Sequence, residues 1–271
     1  NMDPTLLETA IRERYAATGR YPAAIIPVHL YGMPADMSRI MAIASRYGIP
    51  VVEDAAEALG STYEDKFCGT FGKYGALSFN GNKIITTSGG GALVCPDKES
   101  ADRVKFLSTQ ARENRPYYYH TTIGYNYRLS NVSAAIGCAQ AEELAQRVER
   151  RRTIHTIYTK LLAGNDAIRV HSEPSGKFKS NFWLSTILLD PQKTGITPDE
   201  LRIALLERNI ETRLIWRPMH MQPVFENCPF YGNGTGEDIF ARGLCLPSGS
   251  SLTDGEVHEV ADTILEIIRN R

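Results

Sequence analysis

The first half of the chain alternates between extended and helical patterns of apolar residues. Residues 23–29 predict a buried strand, although Pro27 cannot donate a ladder hydrogen bond. Asp36 predicts the N-cap of a helix with apolar residues on one face, and residues 49–54 predict the next strand. Because a strand, a helix and a strand at this spacing form a βαβ unit, we expect a largely parallel sheet with ligands beyond the carboxyl ends of its strands.

Polar residues that can cap a first helical turn mark further helices along the chain. These residues are Asp3, Asp97, Ser130 or Asn131, Thr197 and Thr253. Thr197 and Thr253 each have a glutamate three residues later, which predicts a capping box. The helix that starts near Ser130 is expected to continue unbroken to about Leu162. Further strands are predicted over residues 76–79, 91–95, 182–190 and 211–216.

The order of these elements predicts an α/β protein with two domains. Gly164 and Asn165 interrupt the pattern after the long helix, so we place the boundary there. Residues 1–162 form the predicted large domain, with a mostly parallel, mixed sheet. Residues 163–271 form a predicted smaller α+β domain, and a chain of 271 residues is long enough to bury a core in both.

Composition narrows the classes of partner. The net charge is −1, so the chain lacks the excess of basic residues that would indicate a nucleic-acid partner. No apolar stretch is long enough to cross a membrane. The five cysteines are scattered and contain no CxxC pair, which predicts no metal site and a reducing, cytoplasmic location. We expect a cluster of arginines to form the solvated face of the long helix: Arg147, Arg150, Arg151 and Arg152.

Two residues suggest a specific chemistry. Asp54 ends a predicted strand, and Lys83 lies on the glycine-flanked loop that follows the next one. Pyridoxal phosphate (PLP) chemistry needs a lysine amine for a Schiff base and a carboxylate that keeps a proton on the pyridine nitrogen. From the residues alone, Asp54 could equally cap the following helix and Lys83 could be a solvated surface lysine. Nearby glycines would let backbone approach a ligand closely: Gly72, Gly75, Gly81 and residues 89–91.

Five short motifs resemble those of one family. They read PVHLYG at 27–32, EDAAEA at 53–58, SFNGNK at 78–83, GYNYRLSN at 124–131 and PMH at 218–220. In this order they are similar to the DegT/StrS family of PLP-dependent sugar aminotransferases, and the similarity covers nearly the whole chain. The resemblance implies a fold type I PLP-transferase. Within the family, these motifs are most similar to those of enzymes that make nucleotide-linked 4-amino-4,6-dideoxy sugars, such as the UDP-bacillosamine and GDP-perosamine enzymes.

The resemblance also implies roles for single residues around the cofactor. Lys83 would be the Schiff-base lysine and would move the proton between cofactor and sugar carbons. Asp54 would pair with the pyridinium nitrogen. Glu57, at a position that is often glutamine in relatives, would lie near the cofactor ring and its 3′-hydroxyl, and Ser78 would bind the phosphate.

Other implied roles involve a second subunit and the substrate. Family active sites form at a dimer interface, so Asn126 and Arg128 are expected to reach the phosphate in a partner subunit. His220 is expected to lie near the substrate, although a histidine in such a loop can also be structural. Tyrosines 117–119 could line the dimer interface or the sugar site, or simply fill a loop.

The implied activity is transfer of an amino group from glutamate to C4 of a nucleotide-linked 4-keto-6-deoxy sugar. A PLP-dependent sugar dehydratase is disfavoured because those relatives have a histidine in place of Lys83. The alternative from another class is a non-catalytic remnant, or a protein that binds a nucleotide sugar without PLP.

One departure from the family supports that alternative. Relatives have a further segment before the part that resembles this chain, with phosphate-binding residues at a helix N-terminus and an aromatic residue that stacks on the ring. We therefore expect this chain to be a fragment, with apolar surface or a strand edge left uncovered.

Overall fold

The computed structural model describes residues 1–270 and contains both helices and strands, as the apolar pattern predicts. The helices are α1 (Pro4–Thr18), α2 (Met37–Tyr47), α3 (Lys98–Ser108), α4 (Asn131–Glu142), α5 (Leu144–Leu162), α6 (Pro191–Thr194), α7 (Pro198–Leu206), α8 (Thr235–Arg242) and α9 (Asp254–Arg269). The strands are β1 (Val52–Asp54), β2 (Thr62–Tyr63), β3 (Lys66–Phe67), β4 (Tyr74–Ser78), β5 (Gly91–Val94), β6 (Ile168–Val170), β7 (Phe178–Lys179), β8 (Ser185–Leu189), β9 (Arg213–Leu214) and β10 (Gly243–Leu246). Short 3-10 turns cover Leu30–Gly32, Met219–Met221 and Pro223–Phe225.

The predicted caps start their helices. The Asp3 carboxylate accepts a hydrogen bond from Thr5 N before α1, and Ser130 caps α4 in the same manner. Both capping boxes form, because Thr197 and Thr253 each exchange hydrogen bonds with the glutamate three residues later. These signals are local in sequence, and the structure confirms them.

The sheet of the N-terminal half is mixed. β1 pairs in parallel with β4, and β4 pairs antiparallel with β5. The predicted buried strand at 23–29 is reduced to two bridges, from Ile25 to Val51 and from Val28 to Asp54. Pro27 separates these bridges and cannot donate, and the alternate residues Ile26 and Val28 are exposed, so the prediction of a fully buried strand was wrong.

The C-terminal half forms an antiparallel sheet in the order β6-β8-β10-β9. Its core contains the wholly buried residues of β8 together with apolar residues of α7 and α9. Ile154, Tyr158 and Leu162 of α5 also lie in this core. The division of the chain at residues 162 and 163 therefore remains a prediction, since α5 packs on the C-terminal side of it.

The long helix predicted from Ser130 to Leu162 is two helices. Glu143 separates α4 from α5, with φ −91° and ψ −2°. The prediction of a solvated arginine face on α5 was also wrong. Arg151 is buried and donates to the Trp183 carbonyl, and Arg152 donates to the Ser180 carbonyl. These bonds join α5 to the segment that leads into β8.

Apolar surface is exposed along one side of the N-terminal half. In the part of the chain that the structure describes, β5 pairs only with β4. Helix α4 contains no buried residue, and Val132 on it is 73% exposed. β5 therefore forms an edge of this sheet, and the expectation that the chain is a fragment stays a prediction. Among residues 1–270, no helix is long and apolar enough to cross a membrane.

Candidate active site

Lys83 is mostly buried and contacts residues from both halves of the chain. Its side chain is 12% exposed, and its Nζ lies 3.3 Å from Oε1 of Glu57. The same amine lies 4.3 Å from the centroid of the Trp183 ring. Lys83 is therefore not a solvated surface lysine, because a carboxylate and an aromatic face both contact its amine.

Glu57 connects Lys83 to a strained turn. Its second oxygen accepts a 2.7 Å hydrogen bond from the backbone N–H of Tyr31, whose φ is +56°. A left-handed backbone is unfavourable for tyrosine, so this bond helps to hold the turn. Burial raises the pKa of Glu57, while the bonds from Tyr31 and Lys83 act in the opposite direction.

Trp183 belongs to a cluster of aromatic residues from both halves of the chain. Tyr31 and Trp183 are buried and stack at 6.4 Å, and Trp216 contacts both rings. The Tyr31 hydroxyl accepts a 2.9 Å hydrogen bond from Trp216 N. Burial raises the pKa of the Tyr31 hydroxyl. Burial likewise raises the pKa of the adjacent Cys245 thiol to about 12. The cluster joins the N-terminal half to β9 and β10.

Asp54 and Ser78 line a cleft of about 950 Å³, whose lining residues do not include Lys83 or Glu57. Asp54 and Ser78 lie at the carboxyl ends of the parallel strands β1 and β4, where ligands bind in such sheets. Arg128 lines the same cleft and is exposed. The Asp54 carboxylate also accepts from Ala56 N at 3.1 Å, but this bond lies in a turn and no helix follows before β2, so the alternative that Asp54 caps a helix was wrong. Its charge reaches Glu57 and contributes to the raised pKa there.

A buried carboxylate fixes the strand that ends at Asp54. Glu53 accepts hydrogen bonds from the backbone N–H groups of Gly69, Phe71 and Gly72 at 2.5–2.7 Å. His29 Nε2 donates to it at 3.0 Å, since Ala35 N occupies Nδ1 of the same ring. Burial disfavours the charged form of Glu53, but these donors outweigh burial and hold its pKa below the ordinary value.

The remaining predicted site residues lie elsewhere. Asn126 is exposed and forms a backbone bridge with Thr109. His220 pairs with Glu237 at 2.9 Å, stacks on Phe230 and lines a separate cavity of about 450 Å³. Neither residue lines the Asp54 cleft, so their roles stay predictions.

Three of the six predicted glycines lie against other backbone segments of the chain. A Cβ at Gly75 would lie 2.0 Å from the Gly69 carbonyl, and one at Gly72 would lie 2.6 Å from the Val51 carbonyl. A Cβ at Gly91 would likewise meet the Leu77 carbonyl at 2.2 Å. These three glycines permit close contact between backbone segments of the chain itself, and Gly91 also lines the Asp54 cleft together with Gly90.

The residues of this site fit PLP. A half-buried lysine amine, a carboxylate at a strand end and a hydroxyl beside an arginine are the groups that its aldehyde, ring nitrogen and phosphate need. The cleft is large enough for a cofactor together with a small ligand. Among residues 1–270, no group of three or more histidine, cysteine or acidic residues could hold a metal.

Sequence reasoning missed Trp183 and Asn181. The Asn181 side chain donates to the carbonyls of Glu57 and Leu59 and accepts from Trp183 N. Trp183 contacts Lys83 and Asn181 contacts Glu57, and both come from the opposite half of the chain, about a hundred positions from Lys83. The scarcity of tryptophan, with two in the chain, is the one signal that could have drawn attention to Trp183.

Comparison with known proteins identifies the family. EpsN of Bacillus subtilis (strain 168), a candidate PLP-dependent aminotransferase, is 48% identical over 98% of this chain and 69% of its own length. GDP-perosamine synthase of Escherichia coli O157:H7 is 39% identical over 92% of this chain and 66% of its own. A crystal structure of a DegT DnrJ EryC1 StrS aminotransferase from Brucella abortus superposes with a TM-score of 0.88 at 29% identity, covering 98% of this chain and 69% of that one. The family's sequence profile matches residues 1–265. The chain belongs to the DegT/DnrJ/EryC1/StrS aminotransferase family.

Proposed function

We propose that this chain is a PLP-dependent aminotransferase that aminates C4 of a nucleotide-linked 4-keto-6-deoxy sugar, with glutamate as the amino donor. The observation that carries the proposal is the mostly buried Lys83 amine, which contacts Glu57 at 3.3 Å. The charge of Asp54 reaches the same glutamate, and Asp54 and Ser78 line one cleft. The 39% identity to a GDP-perosamine synthase supports the assignment to amino-sugar synthesis.

Five residues would hold the cofactor together with Lys83. Asp54 would face its ring nitrogen and Glu57 its ring, and the phosphate would bind Ser78, Asn126 and Arg128. When bound, PLP supplies an aldehyde that condenses with amines and a ring that withdraws electrons.

The proton transfers fall to this chain's own side chains. Lys83 Nζ takes a proton from the donor's carbon and later returns one to the sugar carbon. Asp54 keeps a proton on the ring nitrogen through its charge. Glu57 holds Nζ near the site of transfer by its 3.3 Å contact. Trp183 covers Nζ on one side and so limits the access of water to it.

We propose that two copies of the chain form the working enzyme. Asn126 and Arg128 are proposed to reach the phosphate in a partner's site; the exposed position of Asn126 outside the Asp54 cleft supports this, whereas Arg128 lines the cleft of its own chain. The uncovered apolar residues of α4 support an interface in the same region. His220 is proposed to contact substrate, and the five free cysteines are consistent with a reducing cytoplasm.

A panel of nucleotide-linked keto sugars tests the proposal. Each is incubated with the protein, PLP and glutamate, and the aminated product is detected by mass spectrometry. Lys83→Ala should abolish product formation, whereas Lys73→Ala, at an exposed lysine of β4's neighbouring loop, should leave it unchanged.

Two results would contradict the proposal. An unchanged rate in Lys83→Ala would remove the lysine from the chemistry. Nucleotide-sugar binding by protein that neither contains nor takes up PLP would instead favour the non-catalytic binding protein.

A further inference from the structure

The Lys83 amine has two neighbours of different chemistry. One is the Glu57 carboxylate at 3.3 Å, and the other is the face of Trp183, whose ring centroid lies 4.3 Å from Nζ. An ammonium group this close to an indole face is attracted by the ring quadrupole, and the attraction is larger where water is excluded. Trp183 is buried, so this contact belongs to the desolvated class.

The indole is fixed to the loop that carries Lys83. Its Nε1–H donates a 2.8 Å hydrogen bond to the carbonyl of Asn82, the residue directly before the lysine. The ring therefore cannot turn away from Lys83 without leaving its N–H unpaired. Ring and lysine thus share one anchoring point.

The backbone of Trp183 is fixed to the other neighbour of Lys83. The Asn181 side chain accepts from Trp183 N at 2.8 Å and donates to the Glu57 carbonyl at 2.8 Å. The Trp183 carbonyl accepts from the buried guanidinium of Arg151. Residues 181–183 of the C-terminal half therefore set the position of the Trp183 indole relative to the Glu57 carboxylate. The Lys83 amine lies between these two groups.

We propose that Trp183 is a positioning residue for Lys83. The indole face and the Glu57 carboxylate hold the lysine amine in one place whenever it has no covalent partner. This inference rests on the proposed function for its purpose, because an aminotransferase lysine must leave and regain its partner in each cycle. The contact itself is a property of the protein without cofactor and is testable there.

The test measures how fast Lys83 reacts with an amine-specific acylating reagent in the cofactor-free protein, with peptide mass spectrometry as the readout. Only the uncharged amine reacts, and the indole face stabilises the charged one. We expect Trp183→Leu to raise the Lys83 rate about fivefold, equivalent to about 1 kcal/mol. Trp183→Phe keeps an aromatic face but loses the hydrogen bond to Asn82, so its Lys83 rate should lie between that of the native protein and that of Trp183→Leu.

A second measurement keeps the size of the side chain at position 183 nearly constant. Trp216→Phe leaves Trp183 as the single tryptophan of the chain. Fluorinated tryptophans then weaken the ring's attraction for cations stepwise at nearly constant size, and the Lys83 rate should rise with each added fluorine. Lys66, which lies over the Phe71 ring at 4.7 Å, is the internal reference and should not respond.

The outcomes separate this inference from the proposed function. An unchanged Lys83 rate across the fluorinated series, or equal rates in Trp183→Phe and Trp183→Leu, would overturn the positioning role of the ring face. Failure of PLP to attach to Lys83 in the native chain would overturn the proposed function alone, since the labelling experiment uses no cofactor.

Discussion

Replacing Glu53 with glutamine should be among the most destabilising changes of a single atom in this chain. Glu53 is fully buried, and each of its carboxylate oxygens accepts two hydrogen bonds. Oε2 receives the protons of His29 and Gly69, and Oε1 those of Phe71 and Gly72. In glutamine one oxygen becomes an NH₂ group, which donates and cannot accept.

The cost follows from that geometry. Whichever way the amide is oriented, two hydrogen bonds to a charged acceptor are lost, and each is worth about 1.5–3 kcal/mol. The expected loss is therefore about 3–6 kcal/mol, a large part of the 5–15 kcal/mol by which domains are typically stable. The loop at residues 69–72 and the strand that ends at Asp54 would separate first.

Urea unfolding followed by circular dichroism measures this loss. Glu64→Gln is a matched control, because Glu64 also bonds a serine and a lysine but its side chain is 40% exposed. That control should cost less than about 1 kcal/mol. A cost for Glu53→Gln as small as that of the control would refute the reasoning.

The pH dependence provides a second check on Glu53. Its pKa in the folded chain lies below the ordinary value of 4.5, so its contribution to stability is complete above pH 4.5 and is lost as the pH falls below it. The native protein should lose stability in that acid range, and the part due to Glu53 should be absent from Glu53→Gln.

Three further predictions concern other features. Gly75→Ala should cost more than about 3 kcal/mol, because its Cβ would meet a backbone carbonyl at 2.0 Å, whereas Gly81→Ala, with open space around it, should change the melting temperature little. Thr253→Ala removes one capping box and should cost about 1 kcal/mol in urea unfolding. Burial raises the pKa of Glu57, so its contribution to the free energy of unfolding should decrease as the pH rises above 4.5; in Glu57→Gln that decrease should be absent, and an identical pH profile would contradict the raised pKa.

Features set by neighbouring residues were predictable from the sequence. The capping boxes at Thr197 and Thr253 depend on a spacing of three residues, and the structure contains both. The α/β order and the placement of Asp54 at a strand end followed from the apolar periodicity. Lys83 and its motif pointed to the family because the residue types there are chemically unusual.

Features set by distant residues were not predictable. The burial of Arg151 depends on a carbonyl 32 residues away, and a charged helix face reads as solvated until that partner is known. The contact between the Trp183 indole and the Lys83 loop spans 101 residues. The break at Glu143 has no glycine or proline to signal it, and the close glycine contacts became visible only once the opposing backbone was in place.

The most direct test of the account is where PLP attaches. The native chain is incubated with PLP, reduced with borohydride and digested, and the modified peptide is identified by mass spectrometry. The account predicts one cofactor per chain, on Lys83, and loss of that modification in Lys83→Ala. Modification of exposed lysines at equal yield, with Lys83 unmodified, would contradict the central claim that Lys83 is the cofactor-binding lysine.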